Sequence, residues 1–108
     1  MIPTNKKLEK NIKRIFIKHG LSSNHADISA KALINAELLG ASSHGLSRLK
    51  MYCDRIKKKL INSRPKFKIR NISKSISSID ANNSIGFVAA DIGIKKAISN
   101  AKKTGIGL

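Results

Sequence analysis

The sequence predicts an α/β (α+β) fold in which a helical bundle comes first and short strands and a further helix follow. Two observations lead to this prediction. Apolar residues recur at the 3.6-residue helical period in three segments before residue 62, and again after residue 85. Between these regions, isoleucines stand in short, roughly alternating runs that are typical of strands.

The first two predicted helices are bounded by capping residues. The first begins with Thr4 as N-cap and ends at Gly20, and the second begins with Ser22 or Ser23 and ends before Gly40. The apolar face of the first consists of Leu8, Ile12, Ile15, Phe16 and His19. The second carries alanines at positions 26, 30, 32 and 36 beside Leu33 and Ile34. Such small side chains allow a neighbouring helix to approach closely.

A third helix is predicted after the loop at residues 40–45. Its buried stripe comprises Leu49, Tyr52 or Cys53, Ile56 and Leu60, with Lys57, Lys58 and Lys59 on the solvent side. Arg48 falls in its first turn, about one turn from His44, so the two side chains can face the same space.

The remaining segment is predicted to contain strands, a turn and a helix. One or two strands are indicated by Phe67, Ile69, Ile72, Ile76 and Ile79, and residues 80–84 have turn composition. A helix over residues 85–103 follows, with a stripe through Val88, Ile92, Lys95 or Lys96, Ile98 and Ala101, and Gly105 ends it. Residues 106–108 resemble the opening of a strand. A strand of three residues without a partner predicts that the chain is a fragment.

The formal net charge of +16 is the outlying bulk property, since 22 Lys and Arg face 6 Asp and Glu. Such an excess raises the possibility of a nucleic-acid or acidic-membrane partner. However, the basic residues are spread along the whole chain, and the four aromatic residues are scattered rather than interleaved with them. We therefore expect a solvated basic surface and no membrane partner, with nucleic-acid binding as the alternative.

The single cysteine and the hydropathy pattern predict a cytoplasmic protein. Cys53 has no second cysteine with which to form a disulfide, and no Cys/His cluster suggests a metal site. The chain has no run of 18 apolar residues, and no apolar segment follows its charged N-terminus.

Residues 42–48, Ser-Ser-His-Gly-Leu-Ser-Arg, contain the chemistry of interest. The imidazole of His44 can exchange a proton with the oxygen at C2 of a 2-oxo or 2-hydroxy acid, because its pKa lies near operating pH. The guanidinium of Arg48 can bind a carboxylate through two hydrogen bonds. The alternatives are a loop histidine bonded to backbone groups, an arginine on a helix surface, and loop or capping hydroxyls at Ser42 and Ser43.

Three segments resemble, in order and spacing, the type-2 malate/L-lactate dehydrogenase family. They are AELLGASSHGLSRLKMY at residues 36–52, IDANNSIG at 79–86 and AISNAKKTGIGL at 97–108. This family also includes ureidoglycolate and sulfolactate dehydrogenases, diketogulonate reductase and cyclic-imine carboxylate reductases. The resemblance covers essentially the whole chain, and the first segment is its most specific part.

The resemblance implies reversible NAD- or NADP-dependent reduction of a 2-oxo acid, such as those related to malate and lactate, or of a similar C=N compound bearing a carboxylate. By analogy, His44 is the proton donor and acceptor, Arg48 binds the substrate carboxylate, and Ser43 is a neighbouring hydrogen-bonding group. The implied fold is the family's own α/β arrangement and homodimer rather than a standard Rossmann domain. No GxGxxG motif follows a strand here, in agreement with that expectation.

One departure concerns the residues that family members carry after a Gly-Ile-Gly-Leu segment. They continue into a strand and an Asn-His-Phe-Gly-like segment, whose histidine is the assigned proton acceptor in some members, and then into the main cofactor-binding region. Accordingly, His44 is expected to be a substrate-site residue rather than the sole acid and base. The 108-residue fragment alone is expected to be inactive.

These expectations divide the chain into two parts. Residues 1–62 form a helical segment with the Ser-His-Gly/Arg motif, and residues 63–108 begin the α/β portion, which stops before the cofactor-binding region. Two alternatives to an oxidoreductase fragment are a small basic helical domain that binds nucleic acid and an inactive, truncated gene product.

Overall fold

The computed structural model describes residues 2–40 and 46–108, with side chains for residues 6–40 and 47–108. Helices come first, and a two-stranded sheet and a long helix follow, which confirms the predicted fold class. In chain order the elements are α1 Ile2–Lys18, α2 Ser23–Leu38, a short 3₁₀ helix Leu46–Arg48, α3 Leu49–Lys57, β1 Lys68–Asn71, β2 Ser77–Asp80 and α4 Gly86–Thr104.

The hydrophobic core lies among the four α-helices. Phe16 of α1 and Leu33 of α2 are fully buried, and the small side chains of Ala26 and Ala30 are buried beside them. The short alanines let α1 and α2 pack closely, as the sequence predicts. The core continues into Ile56 and into residues at the start of α4. Among the residues whose side chains are described, its buried members are Ile12, Phe16, Leu21, Ala26, Ala30, Leu33, Ile56, Ile85 and Val88.

The start of α1 differs from the prediction, whereas its end agrees with it. Helical backbone begins at Ile2, so Thr4 lies inside the first turn and is not the N-cap. Pro3 explains the earlier start, because a proline in the first turn has the φ angle of a helix and needs no N–H partner there. Gly20 follows the helix with φ +106°, the left-handed conformation expected of a glycine helix stop.

Ser22 is the N-cap of α2, which decides between the two serines that the sequence offers. Its Oγ accepts a hydrogen bond of 3.2 Å from the backbone N–H of His25. Ser23 is the first helical residue and is exposed.

Substitution of Ser22 by alanine is therefore expected to destabilise the protein by about 0.5–2 kcal/mol, since an N–H of the first turn loses its partner. The change in unfolding free energy can be measured by urea denaturation of the complete protein. Ser23→Ala is the matched control, with an expected effect within about 0.5 kcal/mol. Equal losses in the two variants would contradict the assignment of the cap.

The third helix ends earlier than predicted, and the prediction that Leu60 belongs to its buried stripe is wrong. Cys53 and Ile56 are buried as expected, but Leu60 is 65% exposed. The helix stops at Lys57, and Lys59 takes a left-handed conformation with φ +61°. The N–H groups of Lys59 and Leu60 then bond to the carbonyls of Ile56 and Arg55 at 3.0 and 2.9 Å. This is a Schellman helix stop, with lysine where glycine is usual.

The strands form an antiparallel hairpin. Ile69 of β1 is opposite Ile79 of β2, and the predicted strand residues Ile72 and Ile76 lie in the connection between the strands. The predicted turn at residues 80–84 is confirmed, since Asn82 and Asn83 have positive φ and the Asn82 N–H bonds to Asp80 Oδ1 at 2.9 Å.

In the C-terminal half of α4, the buried residues differ from the predicted stripe. Val88 is buried as expected, but Ile98 is 48% exposed and Asn100 is buried instead. The reason is that this half of the helix lies against the polar end of the hairpin, where Asn100 Nδ2 donates a 2.9 Å hydrogen bond to Ser77 Oγ. Gly105 ends the helix with φ +92°, as predicted. The division into residues 1–62 and 63–108 stays a prediction.

Candidate active site

The segment with the predicted catalytic chemistry lies only partly within the described structure. Ser42, Ser43 and His44 fall outside the described residues, so their predicted roles stay predictions. The flanking residues are described on both sides. Gly40 ends α2 with φ +83°, and its N–H bonds to the carbonyl of Glu37 at 3.1 Å. The chain is described again from Leu46, where the short 3₁₀ helix begins.

Arg48 is the predicted site residue that the structure does place. It is the last residue of the 3₁₀ helix and the N-cap position of α3, and its side chain makes no capping hydrogen bond. Arg48 is partly exposed, and its Nη1 lies 3.8 Å from the sulfur of Met51, one turn further along α3.

Packing on both sides fixes the backbone that carries Arg48. The 3₁₀ helix contacts α2, and Leu49, the next residue, packs against the core. Tyr52, one turn after Arg48, makes an edge-to-face contact with Phe87 of α4, with ring centroids 5.3 Å apart and an interplanar angle of 63°. Tyr52 therefore packs α3 against α4, one turn after Arg48, and α2 supports the 3₁₀ helix that ends at Arg48.

The other two histidines have structural explanations. His19 Nδ1 lies 2.8 Å from the carbonyl oxygen of Ile15, so its ring binds the C-terminal end of α1. The ring of His25 packs edge-on against Phe67, with centroids 6.1 Å apart and planes at 87°. These contacts account for His19 and His25, whereas the role of His44 stays a prediction.

Cys53 does not add a nucleophile to this region. It is 7% exposed on α3, and burial raises the pKa of its thiol, so the thiol form is favoured over the reactive thiolate. Within residues 2–40 and 46–108 there is no group of three or more His, Cys, Asp or Glu that could hold a metal ion. No helix in the described part of the chain is long and apolar enough to cross a membrane.

Several acidic residues near the helices are paired with lysines one turn away. Asp27 bonds to Lys31 at 3.0 Å, and Asp91 bonds to Lys95 at 2.9 Å. On α3, the 2.9 Å hydrogen bond from Lys50 lowers the pKa of Asp54. In each pair the lysine ammonium offsets the negative charge of the neighbouring carboxylate, and on α3 this applies to Asp54.

The family model described as malate/L-lactate dehydrogenase matches residues 4–108. The chain belongs to this family. The match confirms the resemblance found in the three sequence segments, including the block from Ala36 to Tyr52.

Curated members of the malate/L-lactate dehydrogenase family align with most of the chain. The malate/(S)-sulfolactate dehydrogenase of Methanothermus fervidus is 37% identical over 89 residues, which cover 82% of this chain and 26% of that protein. The ureidoglycolate dehydrogenase (NAD(+)) of Escherichia coli K12 is 32% identical over 101 residues, which cover 94% of this chain and 29% of that protein. The chain thus spans less than a third of the length of these relatives.

A solved structure in the family has the same fold over this region. The malate dehydrogenase of Pyrococcus horikoshii OT3 superposes with a TM-score of 0.92 at 37% sequence identity, covering 95% of this chain and 30% of that one. The helices and the hairpin therefore have the same arrangement as the matching part of that malate dehydrogenase.

Two contacts near Arg48 were not identified from the sequence, one with Met51 and one between Tyr52 and Phe87. Met51 was predictable in principle, because a residue three positions along a helix shares the same face. Phe87 lies 39 positions after Arg48 in the sequence and belongs to α4. Its contact with Tyr52 depends on how α4 packs, and no local pattern predicts that contact.

Proposed function

We propose that the complete protein is an NAD- or NADP-dependent oxidoreductase that transfers a hydride between nicotinamide and a 2-hydroxy or 2-oxo acid such as malate or lactate. The observation that carries this proposal is the family match over residues 4–108. The names of the relatives support it, since they are malate, sulfolactate and ureidoglycolate dehydrogenases. The position of Arg48 on a supported turn adds a means of binding the acid.

In this proposal, residues of this chain bind the acid and transfer the proton. In the direction of reduction, His44 gives a proton to the carbonyl oxygen at C2 as the carbon gains a hydride, and Arg48 holds the carboxylate with charge-assisted hydrogen bonds. Ser43 contributes a hydrogen bond beside His44. In the reverse direction, His44 accepts the proton from the hydroxyl group.

The nicotinamide cofactor, when bound, supplies or accepts the hydride. The turn between β2 and α4 lacks the GxGxxG pattern of a dinucleotide-binding loop, because Gly86 is the single glycine in residues 81–92. We therefore assign the cofactor mainly to the part of the protein beyond this chain. The active protein is proposed to be a homodimer, and the free, buried Cys53 fits a reducing cytoplasmic setting.

Arg48→Ala in the complete protein is expected to raise KM for the 2-oxo acid about tenfold or more while kcat changes little. A hydrogen bond to a charged group contributes about 1.5–3 kcal/mol, and it is made in both the ground state and the transition state. Steady-state assays of NADH or NADPH oxidation measure both constants. Arg55→Ala is the matched control, because Arg55 is an exposed arginine on the neighbouring α3, and it is expected to leave KM unchanged. An unaltered KM in Arg48→Ala would remove its assignment.

A nucleic-acid-binding protein is the second candidate, and the net charge of +16 favours it. Salt titration of DNA or RNA binding separates the two functions, because each neutralised phosphate adds to the salt dependence of the affinity. We expect weak binding that is lost near physiological salt. The second candidate would be favoured by tight, sequence-selective binding of DNA or RNA that persists at about 0.2 M salt, together with no oxidation of NADH or NADPH.

A further inference from the structure

A cavity of about 520 Å³ lies between the C-terminal half of α4 and the connection that joins β1 to β2. This volume falls in the range of about 300–1,000 Å³ that is usual for small-molecule sites. We call it the lysine cavity. The residues that line it are Asn71, Ser73 and Lys74 from the hairpin and Lys96, Asn100, Lys103 and Thr104 from α4.

The positive charge of the lysine cavity is not offset by nearby carboxylates. None of the described residues that line it is Asp or Glu. The ammonium groups of Lys74, Lys96 and Lys103 also form no ion pair with the described side chains. Three such groups around one concave surface raise the local positive potential and concentrate anions there.

A second cationic cavity, beside α3, differs in this respect. It is lined by Lys50, Arg55 and Lys58, but also by Asp54. The Asp54 carboxylate accepts a 2.9 Å hydrogen bond from Lys50 and carries a negative charge that repels an incoming anion. The lysine cavity has no such group among its described residues, so it is the better candidate for an anion site.

Two polar side chains of the hairpin offer neutral donors at the same cavity. Ser73 Oγ accepts from the backbone N–H groups of Ser75 and Ile76, both at 3.2 Å, so its own O–H hydrogen takes part in neither bond. Asn71 Oδ1 accepts a 3.0 Å hydrogen bond from Ser77 Oγ, which leaves the NH₂ group of Asn71 out of that bond. A hydroxyl and an amide donor therefore lie beside the lysines.

Hydrogen bonds between the hairpin and α4 fix the two walls of the lysine cavity. Ser75 Oγ donates to Thr104 Oγ1 at 2.9 Å, and Asn100 Nδ2 donates to Ser77 Oγ at 2.9 Å. Asn100 is only 4% exposed, so this face of α4 is held against the hairpin. Walls that are already held in place lose less conformational freedom when a ligand binds.

The spacing of the lysines indicates an anion with more than one charged group. Lys96 and Lys103 are seven residues apart on α4, so their Cα atoms are separated by about 10.5 Å along the helix axis. Lys74 belongs to the opposite wall, on the hairpin. An elongated anion such as a diphosphate contacts ammonium groups at that separation more readily than a single phosphate does.

We propose that the lysine cavity is a second anion-binding site, which takes the diphosphate group of a small molecule. Lys74, Lys96 and Lys103 form charge-assisted hydrogen bonds with the phosphate oxygens, and Ser73 and Asn71 add neutral ones. The proposal does not depend on the catalytic roles assigned to the segment at residues 42–48.

The lysine cavity is separate from the position of Arg48. Tyr52, one turn after Arg48, packs against Phe87 in the first turn of α4. Lys96, the lining residue of α4 nearest to Phe87, is about 14 Å further along the helix axis. A ligand in the lysine cavity and an acid at Arg48 therefore bind at different ends of α4.

Calorimetric titration of the complete protein with pyrophosphate tests the site. The titration is made with saturating NADH or NADPH, because a dinucleotide also carries a diphosphate, and at about 0.15 M ionic strength, where attraction between distant exposed charges is largely screened. We expect one pyrophosphate to bind per chain under these conditions. Inorganic phosphate, titrated in parallel, is expected to bind more weakly.

A pair of double variants assigns the binding to the lysine cavity. Lys74→Gln with Lys103→Gln removes one ammonium group from each wall and is expected to raise Kd for pyrophosphate at least about tenfold, since two charge-assisted hydrogen bonds are lost. Lys68→Gln with Lys102→Gln is the matched control. It removes the same charge from the hairpin and from the last turn of α4, and all four lysines are exposed, but Lys68 and Lys102 do not line the cavity.

The control is expected to change Kd by less than about twofold, because its charges act only through screened, long-range attraction. Equal increases of Kd in the two double variants would show a response to net charge alone and would overturn the proposal. It would also be overturned if pyrophosphate failed to bind while the dinucleotide is present, or if inorganic phosphate bound as tightly as pyrophosphate.

Discussion

Replacing His44 with glutamine in the complete protein is expected to lower kcat for reduction of a 2-oxo acid by about 100-fold or more. Glutamine keeps a hydrogen-bonding side chain but cannot donate a proton to the oxygen at C2, and loss of a positioned general acid typically costs 10²- to 10⁴-fold. The binding of the acid through Arg48 should persist, so KM is expected to change less than kcat.

His19→Gln is the matched control for this experiment. The His19 ring is bonded to the carbonyl of Ile15 at the end of α1, so its loss should affect stability slightly and kcat hardly at all. Stopped-flow measurement of a single turnover, with NADH or NADPH fluorescence as the signal, separates the chemical step from product release. Equal kcat values in the two variants would show that His44 does not transfer the proton.

Phe16→Ala is expected to destabilise the protein by about 3–5 kcal/mol, the largest loss of stability that we predict. The side chain of Phe16 is fully buried in the core between α1 and α2. Its removal loses the transfer free energy of the ring and leaves a cavity that the packed helices cannot fill. Because native proteins are stable by only about 5–15 kcal/mol, this loss is a large share of the total.

Ile17, which follows Phe16 in the sequence, provides the matched control for the Phe16→Ala experiment. Ile17→Ala removes an apolar side chain that is 43% exposed, so we expect a clearly smaller loss. Urea denaturation of the complete protein, followed by circular dichroism, compares the two variants. A loss in Phe16→Ala no larger than that in Ile17→Ala would contradict the assigned core.

Local sequence signals predict most of the helices but not all of their ends. Gly20, Gly40 and Gly105 each stop a helix with positive φ, as their residue type suggests. Lys59 performs the same task at the end of α3 without being a glycine, so the prediction carried the stripe on to Leu60. Lys59 takes the left-handed conformation because of the direction in which the following residues run. The helical period of the sequence does not contain that information.

Tertiary packing explains the other differences. Ile98 fits the helical period of α4, but the helix turns Asn100 inward because its end lies on the polar connection of the hairpin. Residues 106–108 were predicted as the opening of a strand, and the two hydrogen bonds of Leu108 place it at the edge of β2. The sequence could not indicate that partner, since it lies more than 25 residues away along the chain.

The candidate site was predicted from chemistry and resemblance rather than from periodicity. A histidine with an arginine four residues later is a weak motif, and the surrounding block at residues 36–52 makes it specific to one family. The structure adds what the motif lacks, namely the support of Arg48 through the contact between Tyr52 and Phe87. That contact joins α3 to α4, so it follows from the fold as a whole.

The most direct test of the central claim is the oxidation of NADH and NADPH by the complete protein in the presence of a panel of carbonyl compounds. We predict oxidation with 2-oxo acids such as oxaloacetate or pyruvate and none with acetone, which lacks the carboxylate that Arg48 is proposed to bind. Absence of oxidation with every carboxylate-bearing C=O or C=N compound, in a folded protein that binds the nucleotide, would contradict the claim.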